Sequence, residues 1–178
     1  VAMIEDVAVS KYSGSRGIGT MLIEKLKELY KKYGLDKSDV FKHQHYVIIT
    51  RSGIDKIQAQ AAIHIEYDVI NCEANFCVVK ARASHGYDGN KNIQTFGSAL
   101  IQEYKQEIIK KKDSEGNLVD DIKQTRVGNC NTWYVMEMAE KRAMSRAVLK
   151  LTGFYELGVF GEDESEDFKR QEAQVWKK

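Results

Sequence analysis

Apolar residues recur at helical spacing in residues 20–33, TMLIEKLKELYKKY, where Leu22, Leu26, Leu29 and Tyr33 share one face and lysines fill the others. Gly34 follows as a stop, so an amphipathic helix is expected here. YVIITR (46–51) is aromatic and β-branched and reads as a strand. SGIDKIQAQAAI (52–63) reads as a short helix capped by Ser52, with Asp55 at the capping-box position. In IHIEYDVIN (63–71), Ile63, Ile65, Tyr67 and Val69 alternate onto one face, the mark of a half-buried strand. FCVVKARA (76–83) is a second strand, YDGNKN (87–92) a turn, and NIQTFG (92–97) a third strand.

Residues 100–127 combine LIQEYKQEIIKKK, a DSEGN turn and a polar stretch, read as a peripheral excursion that is either helical or a hairpin. WYVMEMAEKRAMSRAVLKLT (133–152) is built from strong helix formers and closed by Gly153. Strands cluster between the helices instead of alternating with them. This order predicts an α+β fold: a curved antiparallel sheet of three to four strands packed against a long C-terminal helix and preceded by the N-terminal amphipathic helix. Residues 1–160 form the expected domain, and 161–178 an acidic-rich charged tail, loose or weakly helical.

The 178 residues suit one domain, and 43% hydrophobic residues are enough for a core. No apolar run nears the roughly 18 residues that cross a bilayer, and no secretory signal pattern opens the chain, so no membrane association and a cytoplasmic location are expected. Cys72, Cys77 and Cys130 are an odd set without a C-x-x-C pair, and His43 and His45 form an isolated H-x-H. Four-ligand spacing is absent, so no metal or other cofactor is expected.

Net charge is only +1, but its distribution is uneven. Residues 162–172 hold six acids against two bases, whereas 141–150 hold four bases and no acid. Arg142, Arg146 and Lys150 recur at i, i+4 and i+8 along one helical stripe, with Lys141 on its flank. Apolar residues surround most of that helix, so its cations are expected to line a groove and to require an anionic partner. Lys80 and Arg82 share one strand face, Lys91 sits in the turn, and Phe76, Tyr87 and Phe96 offer aromatic faces. Cations interleaved with aromatics suit single-stranded nucleic acid, whose bases are open to stacking.

The segment GNCNTWYVMEMAEKRAMSRAVLKLTGF (128–154) resembles the MAEKRAxxRAxL helix of Rad-fifty-two-like single-strand annealing proteins, a family with phage and bacterial members. YVIITRSGIDKI (46–57), FCVVKARA (76–83) and TFGSA (95–99) are similar to that family in order and spacing, so the likeness spans roughly residues 40–160. Residues 100–127 stand outside it as an insertion.

The resemblance implies a curved antiparallel sheet on the long helix and subunits assembled into rings or helical filaments. Single-stranded DNA would then lie in a basic groove and anneal to its complement without any catalytic residue. By motif position it implies phosphate contacts from Lys141, Arg142 and Arg146, with Arg51, Lys80 and Arg82 added from strands. Partners would be single-stranded DNA and other copies of the chain, with a nuclease or a single-strand binding protein as further candidates.

Two other readings compete. An adaptor that binds only proteins would use the apolar circumference of the long helix. A nucleotide-cofactor enzyme would use SGSRGIGTML (13–22) as a glycine loop, and Tyr33 with Lys37 as a Y-x-x-x-K pair. The glycine spacing is one residue short of that pattern, and MIEDVAV before it is interrupted by Glu5 and Asp6. The glycines then serve as a turn leading into the first helix.

Overall fold

The computed structural model describes residues 16–43, 46–86, 88–112, 114, 116–130 and 134–164. Helix α1 (Arg16–Lys32) is the expected amphipathic helix, and Leu26, Leu29 and Tyr30 are its buried stripe. Gly17 and Gly19 lie inside it, so those two glycines do not form the turn ahead of the helix. Residues 13–15 of that glycine segment lie outside the described residues. Tyr33 is a core residue, its ring 5.8 Å from that of Phe154.

Strand β1 (Val40–His43) pairs antiparallel with β2 (Tyr46–Ile49), whose Val47, Ile48 and Ile49 are all buried. Helix α2 (Arg51–Gln60) starts one residue after Thr50, whose hydroxyl accepts from the Gly53 amide at 3.3 Å. The cap is therefore Thr50 and not Ser52, and Arg51 belongs to a helix start and not to a strand. Ser52 instead donates to the buried Asp39 carboxylate at 3.1 Å.

Strands β3 (Ile63–Cys72), β4 (Phe76–His85) and β5 (Asp88–Leu100) form an antiparallel meander with β4 central. The register puts Glu66 opposite Arg82 and Asp68 opposite Lys80, with a bulge between Val69 and Asn71. On the other side of β4, Arg82 faces Gln94 and Lys80 faces Phe96. Residues 100–127 prove to be a hairpin: β6 (Glu103–Lys112) pairs with β7 (Leu118–Val127), and this ribbon joins no third strand among the described residues.

Helix α3 (Val135–Thr152) is the expected long helix, ended by Gly153 in the left-handed region (φ 80°). It packs on β4 and β5 through Ala139 and Ala143, and Gly97 makes the close approach possible. A Cβ on Gly97 would stand 2.0 Å from the Ala139 carbonyl oxygen. Its other sides meet α2 and β8 (Val159–Gly161), a short strand parallel to β2. Phe154, fully buried between Tyr30 and Tyr33, closes the main core.

Among the described residues the architecture is thus α+β with three α-helices, and the strands divide into two three-stranded sheets and a ribbon, not one sheet. The body also runs past residue 160. Gly161 sits in β8, and Glu162–Glu164 form a helical turn in which Glu164 is buried. Residues 165–178, the rest of the expected tail, lie outside the described residues. No helix among the described residues is long and apolar enough to cross a membrane.

Candidate nucleic-acid interface

The arginine stripe of α3 does not face a trough. Arg142 is 1% exposed, and its guanidinium donates to three backbone carbonyls: Nε to Asp163 (3.0 Å), Nη1 to Ser98 (2.8 Å) and Nη2 to Asn129 (3.1 Å). Arg146 donates from Nη1 to the Phe96 carbonyl at 2.8 Å, while its Nε bonds the carboxylate of Glu164. Glu164 is buried, and its Oε2 has no hydrogen-bond partner among the described residues.

The spacing has a geometric cause. Four residues of helix advance about 6.0 Å, and two residues of strand about 6.6–6.8 Å. Arginines at i and i+4 therefore meet carbonyls at j and j−2 on a neighbouring antiparallel strand. They cap the outer edge of β5, where Ser98 and Phe96 would otherwise present carbonyls without donors. The Asn129 and Cys130 amides continue the cap by donating to the Leu100 carbonyl at 2.8 and 2.9 Å. Buried cations on α3 do need partners, as its apolar circumference suggests, but the protein supplies them. Arg142 is accordingly withdrawn as a phosphate contact, and Arg146 is committed to Glu164 and Phe96.

The remaining expected site residues fall into separate groups. Lys150 lies over the Tyr155 ring, 5.0 Å from its centroid, and Lys141 is exposed on α3. Arg51 pairs with Asp55 at 3.3 Å and donates from Nη2 to the Met144 sulfur at 3.0 Å, while Glu162 accepts from its backbone amide. Among the described residues no ion pair joins any of these to Lys80 or Arg82. Tyr87 and His45 lie outside the described residues. Among the described residues no cluster of three or more His, Cys, Asp or Glu side chains is placed to hold a metal.

Lys80 and Arg82 come together on the face of the β3–β4–β5 sheet turned away from α3, since alternate residues of a strand point to opposite faces and Val79, Ala81 and Ala83 fill the helix side. Phe96, opposite Lys80 and 51% exposed, lies on the same open face. Beside them a depression of about 330 Å³ is lined by His64, Glu66, Arg82, Ser84, Asn92 and Gln94. The expected turn at 87–92 is not one: β5 begins at Asp88, because its pairing with β4 extends to the His85–Asp88 pair, and Lys91 is an exposed strand residue.

Both strand cations share one carboxylate. Arg82 hydrogen-bonds Asp68, and Lys80 stands 3.5 Å from it. The Arg82 hydrogen bond, with Lys80 beside it, holds the Asp68 carboxyl below the ordinary carboxylate range. His64 lies 3.7 Å from Glu66. The face therefore offers two cations held by an exposed acid, an aromatic plane, and amide and hydroxyl groups. A polyanion can displace such an acid, because exposed ion pairs are weak.

Sequence reading missed Asp68 and the Ser84, Asn92 and Gln94 row, although alternation along β4 and β5 places them beside Arg82. It also missed Glu164, because six acids in a row of eleven residues read as a solvated tail. Comparison of the chain with protein-family models, curated proteins and solved structures finds no match.

Proposed function

We propose that this chain is a single-stranded DNA-binding module that anneals complementary strands as a homo-oligomer, in the manner of Rad-fifty-two-like annealing proteins. The observation that carries the reading is the open face of the β3–β4–β5 sheet, where Lys80 and Arg82 flank the exposed ring of Phe96. The likeness of residues 128–154 to the annealing family supports it. The meander on the long helix then corresponds to the curved sheet which that likeness implies.

On this reading, Lys80 and Arg82 exchange Asp68 for phosphates, and a base stacks on Phe96. The polar row of Ser84, Asn92 and Gln94 follows the backbone without selecting a sequence. Lys141 and Lys150 lie on α3, behind the sheet, and alternation from Asn92 and Gln94 turns Lys91 to that side as well, so the path on this face starts from Lys80 and Arg82. Base pairing drives annealing, so no bond is broken and no cofactor takes part.

The experiment is fluorescence anisotropy of a labelled single-stranded oligonucleotide over a salt series, with a duplex control. Binding should weaken steeply as salt rises. Lys80→Ala with Arg82→Ala should lower the slope of log affinity against log salt by about 0.7 for each phosphate the protein no longer neutralises. Binding that ignores salt, or a folded double variant with wild-type affinity, would remove this assignment.

One observation favours a second reading, a protein-binding adaptor without nucleic acid. The β6–β7 ribbon exposes Ile108, Leu118 and Ile122, which suit a protein surface better than a phosphate backbone. An adaptor would show no oligonucleotide binding at any salt concentration.

A further inference from the structure

The β6–β7 ribbon is out of balance with its surroundings. Among the described residues its ten cross-strand pairs join no further strand, and an isolated two-stranded hairpin is marginal in water. The register sets Ile108 directly opposite Ile122, with Leu118 further along the same face. Ile108 is 76% exposed and Ile122 63%. Lys110 and Lys112 share that face, and Lys111 lies between them on the other. Each strand residue advances about 3.4 Å, so Ile108 and Ile122 stand roughly 17 Å out from the ribbon's base, at mid-ribbon, and Leu118 lies at its tip.

A second exposed apolar surface lies on a different part of the chain. α3 covers β4 and β5 but leaves the far half of β3 open on the helix side. Tyr67 and Val69 share that side with the buried Ala81 and Val79 opposite them, yet both are exposed, as is Ile70 at the bulge. Met136, also exposed, shares a face of α3 with Glu140, one turn on. Glu140 acts on Tyr67, whose hydroxyl is pushed up to about 12 by burial first and by that carboxylate second. Exposed Glu137 and Glu73 complete an acidic rim.

We infer that the outer half of the ribbon of one protomer docks on the Tyr67–Val69–Met136 strip of a second copy of this chain. Ile108, Ile122 and Leu118 cover the strip, and the lysines meet its acidic rim. The occupant is argued from charge: Lys110 and Lys112, on the apolar face of the arm with the single acid Asp120 opposite Lys110, meet Glu73, Glu137 and Glu140 around the strip. The two surfaces differ, so the contact is head-to-tail, and repetition of it generates a ring or a filament. The inference rests on the homo-oligomer part of the function proposed above and not on its nucleic-acid part.

The test uses two full-length variants and light scattering after size exclusion. Wild type should exceed the 20.3 kDa of one chain. Ile108→Asp with Ile122→Asp destroys the arm, and Val69→Asp with Met136→Asp destroys the strip; each variant alone should run as a single chain. Mixed together, they should give a one-to-one pair and nothing larger, because each retains the surface the other lacks. Pair formation also proves that both are folded. A wild type that stays monomeric, an arm variant that still assembles, or two monomeric variants that fail to pair would overturn the inference. An arm variant that keeps its assembly but loses oligonucleotide binding would make the ribbon a nucleic-acid arm, and overturns it too. A monomeric wild type that still binds oligonucleotide sinks this interface alone; assembly without such binding sinks the DNA reading alone.

Discussion

Two cation pairs in this protein look alike in the sequence and differ in what holds them. Arg142 and Arg146 recur at helical spacing on α3; Lys80 and Arg82 recur at strand spacing on β4. The first pair is turned inward onto carbonyls of Ser98, Asn129, Asp163 and Phe96, and onto the buried Glu164. The second lies on an open face and shares the exposed Asp68. Carbonyls of a strand edge cannot leave, whereas a surface carboxylate can be exchanged for another anion. A basic stripe is therefore evidence of a polyanion site only once its existing partners are known to be replaceable.

The largest test of this contrast is Arg142→Met. Three part-buried carbonyls lose their donor and a buried guanidinium is removed, so a loss of about 2–4 kcal/mol in urea denaturation is expected. Arg142→Lys should recover little, because one ammonium cannot reach carbonyls that a planar fork serves in three directions. A variant within 1 kcal/mol of wild type, on the scale of about 1 kcal/mol for an ordinary hydrogen bond, would show that the edge cap carries no stability. Lys80→Ala with Arg82→Ala, by contrast, removes only a surface ion pair and should move the urea midpoint far less than Arg142→Met while oligonucleotide binding falls.

Arg146 comes next. Arg146→Met strands the Glu164 carboxylate inside the protein and should cost about 2–3 kcal/mol, less than a fully buried pair because Arg146 is partly exposed. Adding Glu164→Leu should restore most of that loss, since a hydrophobic replacement of both partners removes the stranded charge. Additive losses in the double-mutant cycle would mean that the two side chains do not act as a pair.

What could be read in advance follows from the range of the forces involved. The long helix and its Gly153 stop were legible because composition and periodicity agree over eighteen residues. The α1 stripe and the three meander strands were legible for the same reason. β1, β8 and the Thr50 cap were not, because strands of four and three residues carry too few positions for a period. The direction of Arg142 was hidden in another way. Its partners are backbone carbonyls 13 to 44 residues away, and carbonyls leave no mark in a sequence. The open sheet face, however, was half visible: alternation placed Lys80 and Arg82 together and Phe96 was already a candidate, but only the pairing register could set Phe96 beside Lys80 and add Asp68.

The same contrast holds for anions, and acid separates the two cases. Asp39 is buried and fixed: burial raises its pKa, but the Asp36 amide (3.0 Å), Lys56 (2.6 Å) and Ser52 (3.1 Å) together hold it below the ordinary value. Asp68 is also held low, but by Arg82 and Lys80 on the surface. A carboxyl with a folded pKa below its unfolded value of about 3.9 binds fewer protons when folded, so it stabilises the fold above that value. That contribution fades as pH falls below about 4 toward the folded pKa. Asp39→Asn should therefore flatten the acid limb of a stability–pH curve measured by urea denaturation between about pH 2 and 6. Salt then distinguishes the two sites. At 1 M the screening length is roughly 3 Å, so the effect of Asp68→Asn on that limb should vanish while that of Asp39→Asn persists. Equal loss of both effects at high salt would mean that the Asp39 cluster is as exchangeable as the surface one, and that burial alone does not decide which ionic partners of this protein are fixed.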